Sequence, residues 1–329
     1  MITTVVGAYP KISDEHQDLR RALHKLDRDE LDDAGIQSVY DETTGWAMDE
    51  IRAAGVDIIN DGLIRWDDLL APFARAWANC ERGPLERFYD NNTYFRQPVI
   101  TGPIETDGKT LVRDFTFADR RDNHGATVKA TIAGPLTFAT LTAEDRHYKS
   151  LEERTLAAAD ALAAELRGLK GAGAPLVDVE EPALAAHPEL IDLAAEAIQR
   201  MAKSGVPIAL YPYFFRVDRI IEKLADFKRF PVAILGLDVR SRESSARIIE
   251  RLGGYAGTVS LGIVDARNTR VETPRELGQL VESALKQVRD ERRLYLSTTT
   301  GLEYLPHDVA IKKLNALVDA ARATKGVPA

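Results

Sequence analysis

Asp178, Glu180 and Glu181 fall within four residues, closing the apolar run Leu176-Val177-Asp178-Val179-Glu180. Alternation along an extended strand sends Asp178 and Glu180 to one side. Two carboxylates held that close raise one pKa, and a carboxyl so raised is a general acid or base near neutrality. Tyr211 and Tyr213 share a face by the same rule; their hydroxyls suit a carbonyl and their rings suit a flat ligand. Asp61, Arg65, Asp238, Asp265 and Thr300 follow other apolar runs. We expect Asp178, Glu180, Tyr211, Tyr213 and Asp238 to carry chemistry. Asp61, Arg65, Glu181, Asp265 and Thr300 are expected to bind substrate.

Such residues need a scaffold that brings them to one place. Eight short apolar runs supply it, at residues 4–7, 57–60, 128–132, 176–180, 208–211, 232–237, 259–264 and 294–297. Helical stretches lie between most of them. Eight strand–helix units predict a closed (β/α)8 TIM barrel, a fold whose chemistry sits at the C-terminal strand ends. Thr273, Pro274 and Glu276 predict a capped helix start, followed by apolar residues at helical spacing. Ser150 and Glu153 predict a second capping box, on a helix ended by Gly171 and Gly173. The last helix is expected to begin near Pro306. Residues 10–50 read as a charged, mostly helical N-terminal insert. Residues 88–127 read as a β-hairpin excursion between strands 2 and 3, with Asp107-Gly108 as the turn signal, covering one barrel mouth. Residues 1–329 are expected to form a single domain.

Composition narrows the function classes. Hydrophobic residues are 45% and charged residues 29% of the 329, as in ordinary globular chains, and the formal net charge is -8. That balance argues against a nucleic-acid footprint, though acids in a pocket suit a cationic substrate or proton transfer. No apolar run reaches the ~20 residues of a membrane span. The single cysteine, Cys80, permits no internal disulfide, and the N-terminus lacks a basic region before its apolar residues. The expectation is a cytoplasmic protein with small-molecule substrates, no nucleic acid and no membrane contact.

Six stretches read in order resemble the catalytic domain of cobalamin-independent methionine synthase, in its short archaeal-type form. They are Val6-Gly7-Ala8-Tyr9-Pro10, Asp61-Gly62-Leu63-Ile64-Arg65, Ala133-Gly134-Pro135-Leu136-Thr137, Asp178-Val179-Glu180-Glu181-Pro182-Ala183-Leu184, Leu261-Gly262-Ile263-Val264-Asp265 with Val271-Glu272-Thr273-Pro274, and Gly301-Leu302-Glu303-Tyr304-Leu305-Pro306. The resemblance implies a barrel and the transfer of a methyl group from a folate to the sulfur of homocysteine. It also implies a zinc ion that turns the thiol into a thiolate. The family holds that zinc with a histidine and a cysteine on the fifth strand, a glutamate ending the sixth and a cysteine after the eighth.

The chain departs from the family at every one of those ligands. Tyr211 and Tyr213 stand on the fifth strand, Asp238 ends the sixth, and Thr300 follows the eighth. Phenols and an alcohol are poor zinc ligands beside imidazole and thiolate. No metal is therefore expected. The family's glutamate after Asp-Gly is Leu63, its serine after the first glycine is Ala8, and the aspartate of its Asp-Glu-Pro motif is Glu180. These losses imply an acceptor other than free homocysteine, with Asp178 and Glu180 orienting or deprotonating it. A methyl-folate or related methyl donor is the expected co-substrate, and Trp46, Trp66 and Trp77 are candidates to stack on its pterin. Three other readings stand beside the zinc-free methyl or alkyl transferase. One is a lyase or isomerase using the same acids and tyrosines. Another is a subunit dependent on a protein partner in methyl transfer. The last is the family's own homocysteine methylation. The bland alternatives are also open: the tyrosines fill the space of a lost metal, Asp238 caps the turn at residues 241–243, Asp265 and Glu272 shape a loop, Arg65 pairs with Asp61 or Asp68, Cys80 is inert and His307 lies on the surface.

Overall fold

In a computed structural model the chain is described over residues 1–122, 125–226, 228–240 and 245–324. Eight parallel strands form the barrel: Ile2–Thr4, Ile58–Ile59, a third in two pieces (Thr127–Val128 and Ala130–Ala133), Val177–Glu180, Ile208–Tyr211, Ile234–Asp238, Thr258–Val264 and Leu294–Thr298. The first strand pairs with the eighth, Ile2 opposite Tyr295. The third strand closes the ring. Thr127–Val128 pairs back to the second strand and Ala130–Ala133 forward to the fourth. Lys129, between the two pieces, still donates its backbone N–H to the carbonyl of Ile59 at 2.9 Å. The expected strands are present, with one correction. The first is Ile2–Thr4, and Val5 to Gly7 already form the loop that leaves it, because Gly7 turns the chain at φ +66°.

The helices follow their caps. Pro274–Val288 starts with a full capping box: Thr273 Oγ1 accepts from the Glu276 N–H at 3.3 Å, and Glu276 Oε2 accepts from the Thr273 N–H at 2.9 Å. Ser150 caps Leu151–Gly171, but Glu153 reaches back to the Lys149 N–H instead of to Ser150, so that box is half formed. The last helix is His307–Ala323, directly after Pro306. The N-terminal insert consists of Asp18–Leu26 and Asp33–Ala53. No helix among the described residues is long and apolar enough to cross a membrane.

The excursion between strands 2 and 3 is a hairpin, but not the one its Asp-Gly pair suggested. Its antiparallel strands are Ala78–Arg87 and Tyr94–Glu105, turning at residues 88–93. Asp107-Gly108 instead leads into the helix Val112–Arg121. Gly108 is needed for contact, since a Cβ on it would lie 2.7 Å from the carbonyl oxygen of Ala164 on the long helix Leu151–Gly171. Glu165 on that helix anchors the stem. Its buried carboxylate accepts from Trp77 Nε1 at 3.0 Å, Thr106 Oγ1 at 2.6 Å and the Thr110 N–H at 2.9 Å. A charge buried this way is tolerable only when its oxygens are so occupied.

The main core lies between barrel and helices, as expected of this fold. A second, smaller cluster fills the barrel interior: Val6, Leu176, Ala209, Tyr211, Tyr213 and Ile234.

Candidate active site

Inside the barrel the polar side chains lie in two groups. The lower centres on Lys129, whose side chain is fully buried. Its ammonium is ion-paired with Asp178 and donates to Thr4 Oγ1 at 2.7 Å and the Val5 carbonyl at 2.6 Å. It also lies 5.6 Å from the centroid of the Tyr211 ring. Burial pushes Asp178 up to about 6, and Lys129 pulls against that rise. Tyr211 packs over Gly236, where a Cβ would come within 2.1 Å of the ring. Tyr211 thus occupies the interior and does not line the pocket above.

The second group lies at the C-terminal mouth. Tyr213 donates its hydroxyl to Glu180 Oε2 at 2.5 Å. The other oxygen, Oε1, is buried without a hydrogen-bond partner among the described residues. Burial pushes Glu180 up to about 8, with the Tyr213 hydrogen bond opposing the rise and Asp178 and Glu303 adding to it. Burial likewise drives the Tyr213 phenol well above its ordinary value, so it stays protonated and donates. Alternation does place Asp178 and Glu180 on one side, as the strand period requires. They point to different layers, one to Lys129 and the other to the pocket.

The floor of the pocket is made where the first loop crosses the last. A Cβ on Gly7 would lie 2.9 Å from the Cα and N of Gly301 and 3.3 Å from Glu180 Oε1. Gly7→Ala therefore meets positive φ and a backbone clash together. It is expected to lower the unfolding free energy by about 2–4 kcal/mol, measured by chemical denaturation. Above this floor lies a narrow pocket that opens to solvent. Glu180, Tyr213, Thr300, Glu303 and Tyr304 line it, together with the apolar Leu63, Trp66, Phe88 and Phe95. Phe88 and Phe95 come from the hairpin, which covers the mouth. Glu303 and Tyr304 were not singled out by sequence reasoning. They lie in a short 3-10 turn, Leu302–Tyr304, whose local pattern carries no catalytic signal. The surrounding protein raises the Glu303 carboxyl, and the Lys11 ammonium counteracts it.

Other expected site residues are tied up nearby. Glu181 is fully buried and accepts from the Leu136 N–H at 3.0 Å, the Thr137 N–H at 2.6 Å and the Thr137 hydroxyl. It holds the start of the helix Pro135–Leu141, and burial raises it to about 7. Asp61 accepts from the Leu63 N–H at 3.1 Å and is raised to about 6 by burial and the nearby Asp114. Arg65 does not pair with Asp61 or Asp68. It bridges Asp41 and Asp114 and lies 5.2 Å from the Tyr40 ring centroid, so it pins the helical insert. Asp265 accepts from the Arg267 N–H at 2.9 Å and gives its own N–H to Glu272, shaping the loop after strand 7. Asp238 accepts from the Arg240 N–H at 2.8 Å and is raised to about 6, chiefly by burial. The cap expected of it at residues 241–243 lies outside the described residues.

Of the three tryptophans only Trp66 reaches the pocket. Trp77 is in the core on Glu165. Trp46 lies between His16 and His307, ring centroids 4.7 and 5.0 Å away. His307 is no free surface residue: its Nε2 is 2.7 Å from Glu50 Oε2. Cys80 is buried, and its thiol is pushed up to about 12 by burial, so it is no nucleophile.

Zinc does not fit the four positions where the sequence resemblance would place its ligands. Tyr213 is committed to Glu180, Tyr211 packs in the interior, Thr300 is a hydroxyl, and Asp238 alone is a carboxylate already bonded to Arg240. Among the described residues no three His, Cys, Asp or Glu side chains are grouped to hold a metal.

Residues 1–323 match the family described as the cobalamin-independent synthase catalytic domain. A methionine synthase of Sulfurisphaera tokodaii is 27% identical over 337 residues, covering 98% of this chain and 92% of that protein. One from Saccharolobus solfataricus is 26% identical over 338 residues, covering 98% and 94%. Among solved structures, a B12-independent methionine synthase from Shewanella sp. W3-18-1 with selenomethionine superposes with a TM-score of 0.83 at 20% identity, covering 98% and 97%. A methyltransferase from Methanosarcina mazei superposes at 0.60 and 14% identity, covering 97% and 94%. At those identities the two structures speak to the fold alone.

Proposed function

The chain belongs to the cobalamin-independent synthase catalytic-domain family, and from that membership we propose a methyl or alkyl transferase that works without zinc on an acceptor other than free homocysteine. It is an enzyme of a methyltransferase family. One observation carries the finer reading: a buried Glu180–Tyr213 pair stands at the pocket floor, at a position where the sequence resemblance calls for a soft metal ligand. Leu63 and Ala8, both buried in the pocket wall, support it, since neither can receive an ammonium as the family's glutamate and serine would.

In this reading the donor is a methylated folate, the family's co-substrate. Its flat ring lies against the apolar wall of Trp66, Phe88 and Phe95. The acceptor lies over Gly7 and Gly301 with its reacting atom toward Glu180 Oε1. That oxygen takes the acceptor's proton as the methyl arrives, and the donor nitrogen that loses the methyl takes up a proton. Methyl and proton are thereby exchanged, and no oxidant is required. Tyr213 holds the carboxylate in place. Asp178 acts one layer lower, through the Lys129 pair. Tyr211 and Asp238 complete the proposed set from outside the pocket, and Asp61, Arg65, Glu181 and Asp265 fix the loops that shape it. Thr300 is the expected residue that does face the ligand.

The test uses protein purified without chelators. Zinc far below one ion per chain is expected, with loss of methyl from labelled methyltetrahydrofolate only when a non-homocysteine acceptor is present. Stoichiometric, tightly held zinc together with homocysteine methylation would overturn the reading. Folate binding absent altogether, with turnover of a carbonyl substrate, would favour a lyase or isomerase on the same acids and phenols.

A further inference from the structure

We propose that the substrate of this pocket carries a di- or trimethylated ammonium group, seated between Glu180 and Glu303 and walled by aromatic rings. The inference rests on the reading of the pocket as the active site. Charge is the first reason. Four acids line the pocket, Asp67, Asp68, Glu180 and Glu303, and among the described residues no lysine or arginine does. Two of the four are already used. Asp67 is ion-paired with Arg75 and Arg82, and Asp68 holds the N–H groups of Leu70 and Ala71 at 2.9 and 2.8 Å. Glu180 and Glu303 remain. Glu180 Oε1 is buried and unpartnered among the described residues, against the Gly7–Gly301 crossing. Glu303 Oε1 approaches the same crossing, 3.5 Å from where a Gly301 Cβ would be. The ammonium of Lys11 is bonded to the carbonyl of Trp66 and offsets part of the Glu303 charge. A cation between the two carboxyls favours their ionised forms against the burial that raises both.

The second reason is the walls. Tyr213 is bonded to Glu180, and Tyr304, Trp66, Phe88 and Phe95 line the same pocket. Ring faces attract cations, and they do so for groups whose surface is methyl as well as for bare N–H. A primary ammonium brings three donors that each need an acceptor. Here acceptors lie on the carboxyl side alone, at Glu180 Oε1 and Glu303; Glu180 Oε2 is already taken by Tyr213, and Leu63, Phe88 and Phe95 accept nothing. A di- or trimethylated nitrogen presents one donor or none, so it leaves no donor of its own unsatisfied. An anionic headgroup finds no lining cation among the described residues to receive it.

The experiment titrates the whole chain with choline, its uncharged carbon isostere 3,3-dimethylbutan-1-ol, and methylammonium, at constant ionic strength, reading heat and thermal shift. Choline is expected to bind at least about tenfold more tightly than either of the others. Glu303→Gln, at an accessible position that does not threaten folding, is expected to weaken choline about tenfold and leave the isostere unchanged. Equal binding of choline and isostere, or choline binding untouched by Glu303→Gln, overturns the proposal. A parallel titration with methyltetrahydrofolate separates the two levels. Folate binding without choline binding rejects the cation site and leaves the transferase standing. Choline binding without folate binding rejects the folate donor and leaves the cation site standing.

Discussion

Replacing Glu180 by glutamine is expected to slow turnover by about 10²- to 10⁴-fold, the range for loss of a general base. Glutamine keeps the size and still accepts from Tyr213, so the pocket should persist. The pH dependence sharpens the test. Burial lifts the Glu180 carboxyl to about 8, so the wild-type rate should rise with pH and level off above about 8. Stability should move the opposite way. A carboxyl that holds its proton more tightly when folded than when unfolded loses folding free energy as pH rises from its ordinary value near 4.5 through about 8. The glutamine variant lacks that group. Its stability should fall less over this window, and its rate profile should lose the step. A variant that keeps full rate, or keeps the rise toward pH 8, would remove Glu180 from the chemistry.

Lys129→Met is expected to cost about 3–5 kcal/mol of unfolding free energy, read from denaturant curves. The reason is the partner left behind. Asp178 has no exposed side-chain area and sits in the barrel interior beside Tyr211, so without Lys129 its charge is uncompensated. The methionine variant also strands Thr4 Oγ1 and the Val5 carbonyl, which the ammonium now satisfies. Adding Asp178→Leu should recover most of the loss, because an apolar pair of similar volume suits this interior. Losses that simply add in the double variant would show that the pair is not coupled. The loss should also appear when Glu180 is already glutamine, since the two layers serve different ends.

Several features were legible because they depend on near neighbours in the chain. The facing of Asp178 and Glu180 follows from a two-residue period. The caps at Thr273 and Ser150 follow from spacings of three. The eight runs follow from local hydrophobicity and turns. Other expectations failed where the deciding contact is remote in sequence. Arg65 pairs with Asp41 and Asp114, which belong to different excursions. Asp107-Gly108 has the turn signal of a hairpin, but the close approach of Ala164 uses it to dock a loop on a helix. His307 reads as a surface residue at a helix start until Glu50 and Trp46 are brought against it.

The barrel, the order of its strands, the family and the lack of soft ligands at the expected metal positions can all be read along the chain. These are properties of single positions and short periods. Which groups share a space is set by the folded arrangement. Closing the ring places Lys129 under Asp178, although the two lie on different strands. Folding of the last loop sets Glu303 and Tyr304 beside Glu180 and Tyr213. The angle of the hairpin brings Phe88 and Phe95 over them. Strand tilt and closure set those distances through many weak contacts at once, so no short stretch of the chain records them.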